Sequence, residues 1–357
     1  MIIPNSFGAG IALLIVSLLC WGLWPSTLKR AGKWRYELYY LDFSVGFLLL
    51  AVVAALTLGS LNSNELTFRE NFLITGYRKM AYAVAAGVLF NIANLLLTAA
   101  VASAGMAPAF VMSLGTALTV GVIWDFVQYP EGNALLMFGG AVLVLAAIAA
   151  MALAHSGYRE AVFLAGKKAA LQVDPRSKQG KRSPQNSGAL VGIAVSIVSG
   201  LLFGFFPPVM TLATDGDNGV APYGAVMLAG VGVLACTFVA SPFIINFPIT
   251  GSPVRIGEYF RSKGSQHLLG WIGGALLCGG LLAGMVVAGS PASNIVGPVW
   301  RYAAGHAAPL VAIALGLLVW GEFRSAPHRV RNLLMASAVL FAAGIAMVSV
   351  APLFASK

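Results

Sequence analysis

Ten runs of about 20 apolar residues fill this chain, and nearly all of its charge falls in the gaps between them. A helix rises 1.5 Å per residue, so each run is long enough to cross the ~30 Å hydrocarbon core of a bilayer. The spacing predicts spans near residues 7–27, 38–60, 80–102, 105–126, 133–154, 188–212, 222–246, 267–289, 292–320 and 332–354. Helices are expected because backbone polar groups in lipid must be satisfied within the segment. Barrel strands would be about half as long and alternate in polarity, and these runs do not. Only 10% of residues are charged and the mean hydropathy is +0.85, against about 25% charged residues in a soluble domain.

The first run reads as a span rather than a signal peptide, since no basic residue precedes it and it exceeds the usual apolar region. All three cysteines lie within spans, where thiols are ordinary packing residues. The net charge of +10 does not point to nucleic acid, because the basic residues cluster in alternate loops. With loops numbered from the first connection, the odd loops hold 17 of the 22 Lys and Arg, including Lys29, Arg30, Lys33 and Arg35 in the first. The other side holds Arg69, Arg78, Lys79 and Lys357. The positive-inside rule then predicts a multi-pass protein of the cell membrane with odd loops cytoplasmic and both termini outside.

The fifth loop, residues 155–187, is basic and contains Pro, Ser, Gln and Gly. It reads as a cytoplasmic linker, helical near 159–171, between a first five-helix repeat over 1–154 and a second over 188–357. Trp21-Gly22-Leu23-Trp24-Pro25 and Phe203-Gly204-Phe205-Phe206-Pro207 both read aromatic-Gly-x-aromatic-Pro. Trp124-Asp125-Phe126 and Gly321-Glu322-Phe323 close the fourth and ninth spans. Five spans per half force the second copy to enter the membrane inverted. The fold class expected is therefore all-α, ten transmembrane helices in two inverted five-helix repeats, an architecture common in alternating-access transporters.

Polar and aromatic residues inside the spans mark the candidate sites. Pro25 and Pro207 each remove a helix bond, which makes Trp21 and Trp24 candidates for an inner gate and Phe203 and Phe206 for an outer one. Interfacial anchoring is the competing account. Asn91 and Asn94 share a face of span three, either as a cavity wall or as inter-helix glue. Arg301 lies ~14 Å into span nine, too costly a position for an unpartnered charge. It either grips carbonyl or anionic oxygens, for which a planar guanidinium is suited, or forms a structural salt bridge; Tyr302 is its companion. His306 either carries a proton or is packed. Asp42 either pairs with Lys33 or Arg35 or acts as a coupling carboxylate. Asp125 and Glu322, at span ends, are solvated caps or gate ion pairs. The glycines of span eight, with Gly270/Gly274 and Gly280/Gly284 in G-x-x-x-G spacing, predict close helix packing. No metal cluster, cofactor motif, nucleotide loop or catalytic motif is present, so the chain does not read as an enzyme.

The order of Trp24-Pro25, Tyr40-Leu41-Asp42-Phe43, Ala55-Leu56-Thr57-Leu58-Gly59, Asn94-Leu95, Pro207, Leu212-Ala213-Thr214-Asp215, Pro309-Leu310-Val311 and Gly321-Glu322-Phe323-Arg324 resembles the ureide permease-type family of the drug/metabolite transporter superfamily. That resemblance implies a secondary transporter for allantoin or a related nitrogen heterocycle, with a proton or other ion as coupling partner. It differs in its short linker and in the Trp300-Arg301-Tyr302 cluster with His306. A sugar-uptake transporter and a non-transporting membrane sensor or assembly subunit are the alternatives, and a homodimer is left open.

Overall fold

The structure, a computed structural model, describes residues 1–61, 66–128, 132–173, 186–249 and 251–354, with side chains of 169–173 and 186–189 left out. Among the described residues all regular structure is helical. The helices are α1 (Phe7–Leu23), α2 (Pro25–Arg30), α3 (Tyr36–Leu56), α4 (Phe68–Ile74), α5 (Tyr77–Ala104), α6 (Met106–Gln128), α7 (Ala134–Val173), α8 (Asn186–Thr214), α9 (Pro222–Asn246), α10 (Gly257–Phe260), α11 (Gly264–Ala288), α12 (Ala292–His306), α13 (Ala308–Ala314) and α14 (His328–Val350). A π-helical turn, Leu315–Val319, follows α13. Among the described residues nine helical stretches are long and apolar enough to cross a membrane, and α12 with α13 and its π turn makes a tenth, bent by 41°. The ten expected spans are all present.

The breaks follow from the sequence. Pro25 starts α2 directly after Trp24, so the first span is divided there. Gly297 has φ +77°, which glycine adopts without a Cβ clash, and Pro298 follows it, so α12 is kinked. The expected break at Pro207 differs: α8 stays helical through Pro207 and Pro208. Only the carbonyls one turn earlier lose partners, and packed neighbours in a bundle tolerate that loss. α7 continues without interruption past residue 155 to Val173. Linker residues 174–185, with Arg176, Lys178, Lys181 and Arg182, and the terminal Lys357 lie outside the described residues.

Helix pairing is regular when the spans are numbered one to ten. Span three packs on six and eight on one; two packs on eight and seven on three; four packs on six and nine on one. Span four also touches five and nine touches ten, while two meets seven, four meets nine and five meets ten. Exchanging each span with the one five places along leaves this set of pairs unchanged.

Glycine sets the closest approaches. A Cβ on Gly46 or Gly274 would overlap the backbone of Trp271 or Phe43 between α3 and α11. One on Gly87 or Gly232 would overlap that of Ala229 or Val84 between α5 and α9. The second G-x-x-x-G of span eight faces α1, where the Ser17 hydroxyl donates to the Gly280 carbonyl at 2.7 Å.

Loop contacts sort by parity. Lys29 pairs with Glu322, and Gln266 donates to the Ala31 carbonyl, joining the first loop to the ninth and seventh. At the other end Asn71 bonds Gly219 and Ala221, the Asn133 amide donates to Ala351, and the Ala292 amide to Pro4. Among the described residues, the first, seventh and ninth loops thus meet at one face, and the even loops with Pro4 and Ala351 at the other.

Candidate functional site

A cavity of about 760 Å³ opens on the even-loop face between α6, α8 and α12. Its shape comes from α8. A Cβ on Gly200 would overlap the Ser113 carbonyl and one on Gly204 would crowd Val120, so α8 lies hard against α6 up to that level. Beyond it, Pro207 and Pro208 line the cavity opposite Trp124 and Asp125.

The third wall carries the polar chemistry. The kink at Gly297 and Pro298 presents Arg301, Tyr302 and His306 to the cavity. Arg301 Nη1 donates to Ser293 Oγ at 2.8 Å, while its buried Nε has no protein partner. The Tyr302 hydroxyl donates to Asp125 Oδ2 at 2.6 Å. His306 stacks on the Tyr302 ring, centroids 5.7 Å apart, and lies 3.0 Å from the Tyr302 carbonyl through Nδ1. A carbonyl only accepts, so Nδ1 carries a proton there and Nε2 is the free ring nitrogen. The cavity therefore offers guanidinium donors and a carboxylate acceptor beside the aromatic faces of Trp124 and Phe203. Such a set complements a planar solute bearing both carbonyl oxygens and N–H groups.

Phe203 is the floor. Its ring packs edge-on against Trp21 at 6.0 Å and Phe90 at 5.4 Å, and Phe206 and Phe47 close on Phe90 at 5.0 and 5.8 Å. The sequence divides the aromatic candidates between two gates. The structure instead gathers Trp21, Phe203 and Phe206 around Phe90, because α1, α5 and α8 meet at that level. Trp24 sits one turn away against Phe43 and Phe110.

Asn91 and Asn94 are fully buried and do not line the cavity. Asn91 Oδ1 accepts from the Tyr40 hydroxyl at 3.0 Å and from Thr237 Oγ1 at 3.1 Å, and Asn94 Nδ2 donates to the Tyr40 oxygen at 3.1 Å. They lie on the α5 face turned to α3 and α9. Arg301 belongs to α12, on the other side of the aromatic floor, so the asparagine pair and Arg301 do not share one pocket here.

Charge ties the first, third and ninth loops together at the odd-loop face. Glu322 pairs with Lys29 and accepts from the Met106 and Ala107 amides at 2.7 and 3.1 Å, capping the N-terminus of α6. Its carboxylate is held there by a turn with left-handed Gly321 and Phe323, φ +60° and +63°. Trp320 Nε1 adds a bond to Ser26 at 3.2 Å. Of the expected alternatives for Glu322, a solvated cap gives way to an ion pair.

Asp42 is not partnered as the sequence suggests. Its bonds come from Tyr259 Oη at 2.9 Å and Trp271 Nε1 at 3.0 Å, with His267 Nδ1 at 2.7 Å, and Arg35 pairs with Glu37. At the start of α3, Arg35 and Glu37 are two residues apart and bond directly, while Asp42 is turned toward α11. Burial and the Asp42 charge push the Tyr259 hydroxyl, outside the spans, up to about 12. Sequence reasoning missed Tyr40, Tyr259, His267 and Trp271 as partners. The only trace of them was Tyr40 in the Tyr-Tyr-Leu-Asp run and a lone histidine at the start of span eight.

Residues 174–351 match the family model described as ureide permease. Ureide permease 1 of Arabidopsis thaliana is 23% identical over 97% of this chain and 98% of its own length. Ureide permease 5 of the same plant is 26% identical over 97% and 95%. The chain is a homologue of the ureide permeases. Among these relatives the probable ureide permease A3 of Vigna unguiculata is 21% identical over 77% of this chain and 86% of its own. A crystal structure covering 96% of both chains, at 15% identity and a TM-score of 0.50, shares the fold.

Proposed function

We propose that this ureide permease homologue is a secondary transporter of the drug/metabolite superfamily that carries a small polar solute, of the ureide or nucleobase kind, across the cell membrane. The observation that carries this reading is the cavity, where the Arg301 guanidinium and the Asp125 carboxylate face the same space beside Phe203 and Trp124. A ureide presents urea-type carbonyls and N–H groups in a planar frame, and those two side chains match the two halves of its hydrogen-bonding pattern. The relatives are named for ureides, which supports the same class.

Alternating access by two inverted halves, 1–154 and 188–357 joined by the basic linker, is supported by helix pairing that survives exchange of the halves. With odd loops cytoplasmic, as 17 basic residues favour, the cavity faces outward and the Lys29–Glu322 pair closes the inner face. A proton or other ion is the expected driving partner. Asp42, Glu322 and His306 are the residues proposed to serve it. Within this reading Phe203 and its aromatic neighbours form the barrier a solute must pass.

Purified protein in proteoliposomes tests the proposal. Radiolabelled allantoin should accumulate, unlabelled uracil should compete for its entry, and a hexose should not. Liposomes that take up no ureide and no nucleobase, under any imposed ion gradient, would overturn it.

A further inference from the structure

Directly behind the aromatic floor lies a second layer, and its polar atoms are incompletely used. One helical turn separates Trp21 from Trp24 on the first span, Phe90 from Asn94 on α5, and Phe47 from Phe43 on α3, with Tyr40 a further turn on. Each of these steps leads away from the cavity toward the odd-loop face. Trp24 packs on Phe43 at 5.2 Å, Phe43 stacks on Tyr40 at 5.1 Å, and Tyr40 bonds both asparagines. Trp24, Tyr40, Asn91 and Asn94 therefore make one contiguous layer across three spans.

Within that layer Trp24 Nε1, Asn91 Nδ2 and Asn94 Oδ1 are buried with no protein hydrogen-bond partner. Trp24, Asn91 and Asn94 all have essentially no exposed surface. Buried polar groups are almost always bonded, and leaving one unpaired carries the full cost of its desolvation. Two spare donors and one spare acceptor within one layer therefore call for a use.

Resting on the transport reading above, we propose that Trp24, Asn91 and Asn94 form a second solute site, reached once the Phe203–Phe90–Trp21 floor parts, for a planar ring with two acceptors and one N–H. Trp24 Nε1 and Asn91 Nδ2 donate to carbonyl oxygens of the solute, and Asn94 Oδ1 accepts its N–H. Tyr40 is a positioning residue: its hydroxyl fixes which amide atoms of the asparagines are free. Thr237 assists by occupying Asn91 Oδ1. Solute would then pass from the Arg301 cavity to a layer whose pairing is complete only with solute present.

Trp24→Phe tests this directly, because it removes one spare donor and keeps a ring in place. Allantoin counterflow in proteoliposomes should fall about five- to tenfold, the effect of one lost hydrogen bond. Ligand-free melting should stay level or rise, and allantoin should still stabilise the protein through the Arg301 cavity. Asn91→Leu is the second variant and should lose counterflow in the same way; should it fail to fold, Trp24→Phe decides alone. Wild-type counterflow rates in Trp24→Phe would overturn the second site while leaving the transport reading intact. Wild-type protein that neither binds nor exchanges allantoin or uracil would overturn the transport reading, and the second site with it.

Discussion

The Tyr302 hydroxyl donates to the Asp125 carboxylate at 2.6 Å, tying the ninth span to the end of the fourth across the mouth of the cavity. The bond orients a carboxylate that faces the same space as the Arg301 guanidinium. Tyr302→Phe frees that carboxylate to rotate. The KM for allantoin uptake should rise about fivefold, the worth of one hydrogen bond of ~1 kcal/mol, with kcat little changed. An unchanged KM would remove the pair from solute recognition.

Arg301→Lys keeps the charge but loses the planar fork. Allantoin affinity, read as the ligand-induced shift in melting temperature, should weaken by about tenfold, roughly 1.4 kcal/mol. Ser293→Ala leaves the guanidinium present but unanchored at Nη1, and should give a smaller loss in the same direction. Equal affinity in Arg301→Lys and wild type would mean that Arg301 is structural.

Lys29→Met removes one partner of the odd-loop ion pair, while Glu322 keeps the Met106 and Ala107 amides. The protein should therefore fold, but with its odd-loop face less firmly shut. A cysteine at the buried Leu28 position, in a background lacking Cys20, Cys236 and Cys278, reports the change. Its labelling by a maleimide should quicken severalfold in Lys29→Met; an unaltered rate would deny the pair a latching role.

Gly274→Val and Gly279→Ala separate close packing from mere helix composition. A side chain at Gly274 meets the Phe43 backbone, which cannot swing away, whereas at Gly279 the nearest atom is Leu50 Cδ2 at 3.6 Å. The first change should cost ~2–3 kcal/mol by overpacking. The second should be neutral or slightly stabilising, since alanine favours helix over glycine. Melting curves in one detergent compare the two.

Tyr259 gives a pH signature. Burial first, and then its bond to Asp42, raise the hydroxyl from 10.0 to about 12. Above the unfolded value the unfolded chain sheds this proton while the native chain keeps it, so ν for the unfolded state is the smaller and stability falls as pH rises. The contribution is whole below pH ~10 and is lost on the way to pH ~12. Tyr259→Phe should flatten that part of the melting temperature against pH; an identical slope would contradict the assignment.

The helical spans and most of their boundaries, the far end of α7 excepted, were legible because lipid admits few solutions for a backbone. Arg301, Tyr302 and Phe203, which line the cavity, stood out because a central charge and a proline-linked aromatic are conspicuous in an apolar run. What escaped was lateral partnership. A stripe such as Asn91–Asn94 reveals a helix face, but only the fold tells that this face meets Tyr40 and Thr237 rather than the cavity. Asp42 illustrates the same limit, since its nearest cations in sequence are not its neighbours in space, and His267 lies 225 residues away. Glu322 was visible as a charge at a helix end, but its reach to the start of α6 depends on a left-handed phenylalanine that no local pattern announces.

At Gly46 and Gly274 between α3 and α11, and at Gly87 and Gly232 between α5 and α9, backbone meets backbone and no side chain lies between the helices to trim or enlarge. A side chain added at any of these glycines has to displace backbone. Side chains that line the cavity beyond the Gly200 and Gly204 contacts, such as Trp124 and Pro208, can vary without prising those seams apart.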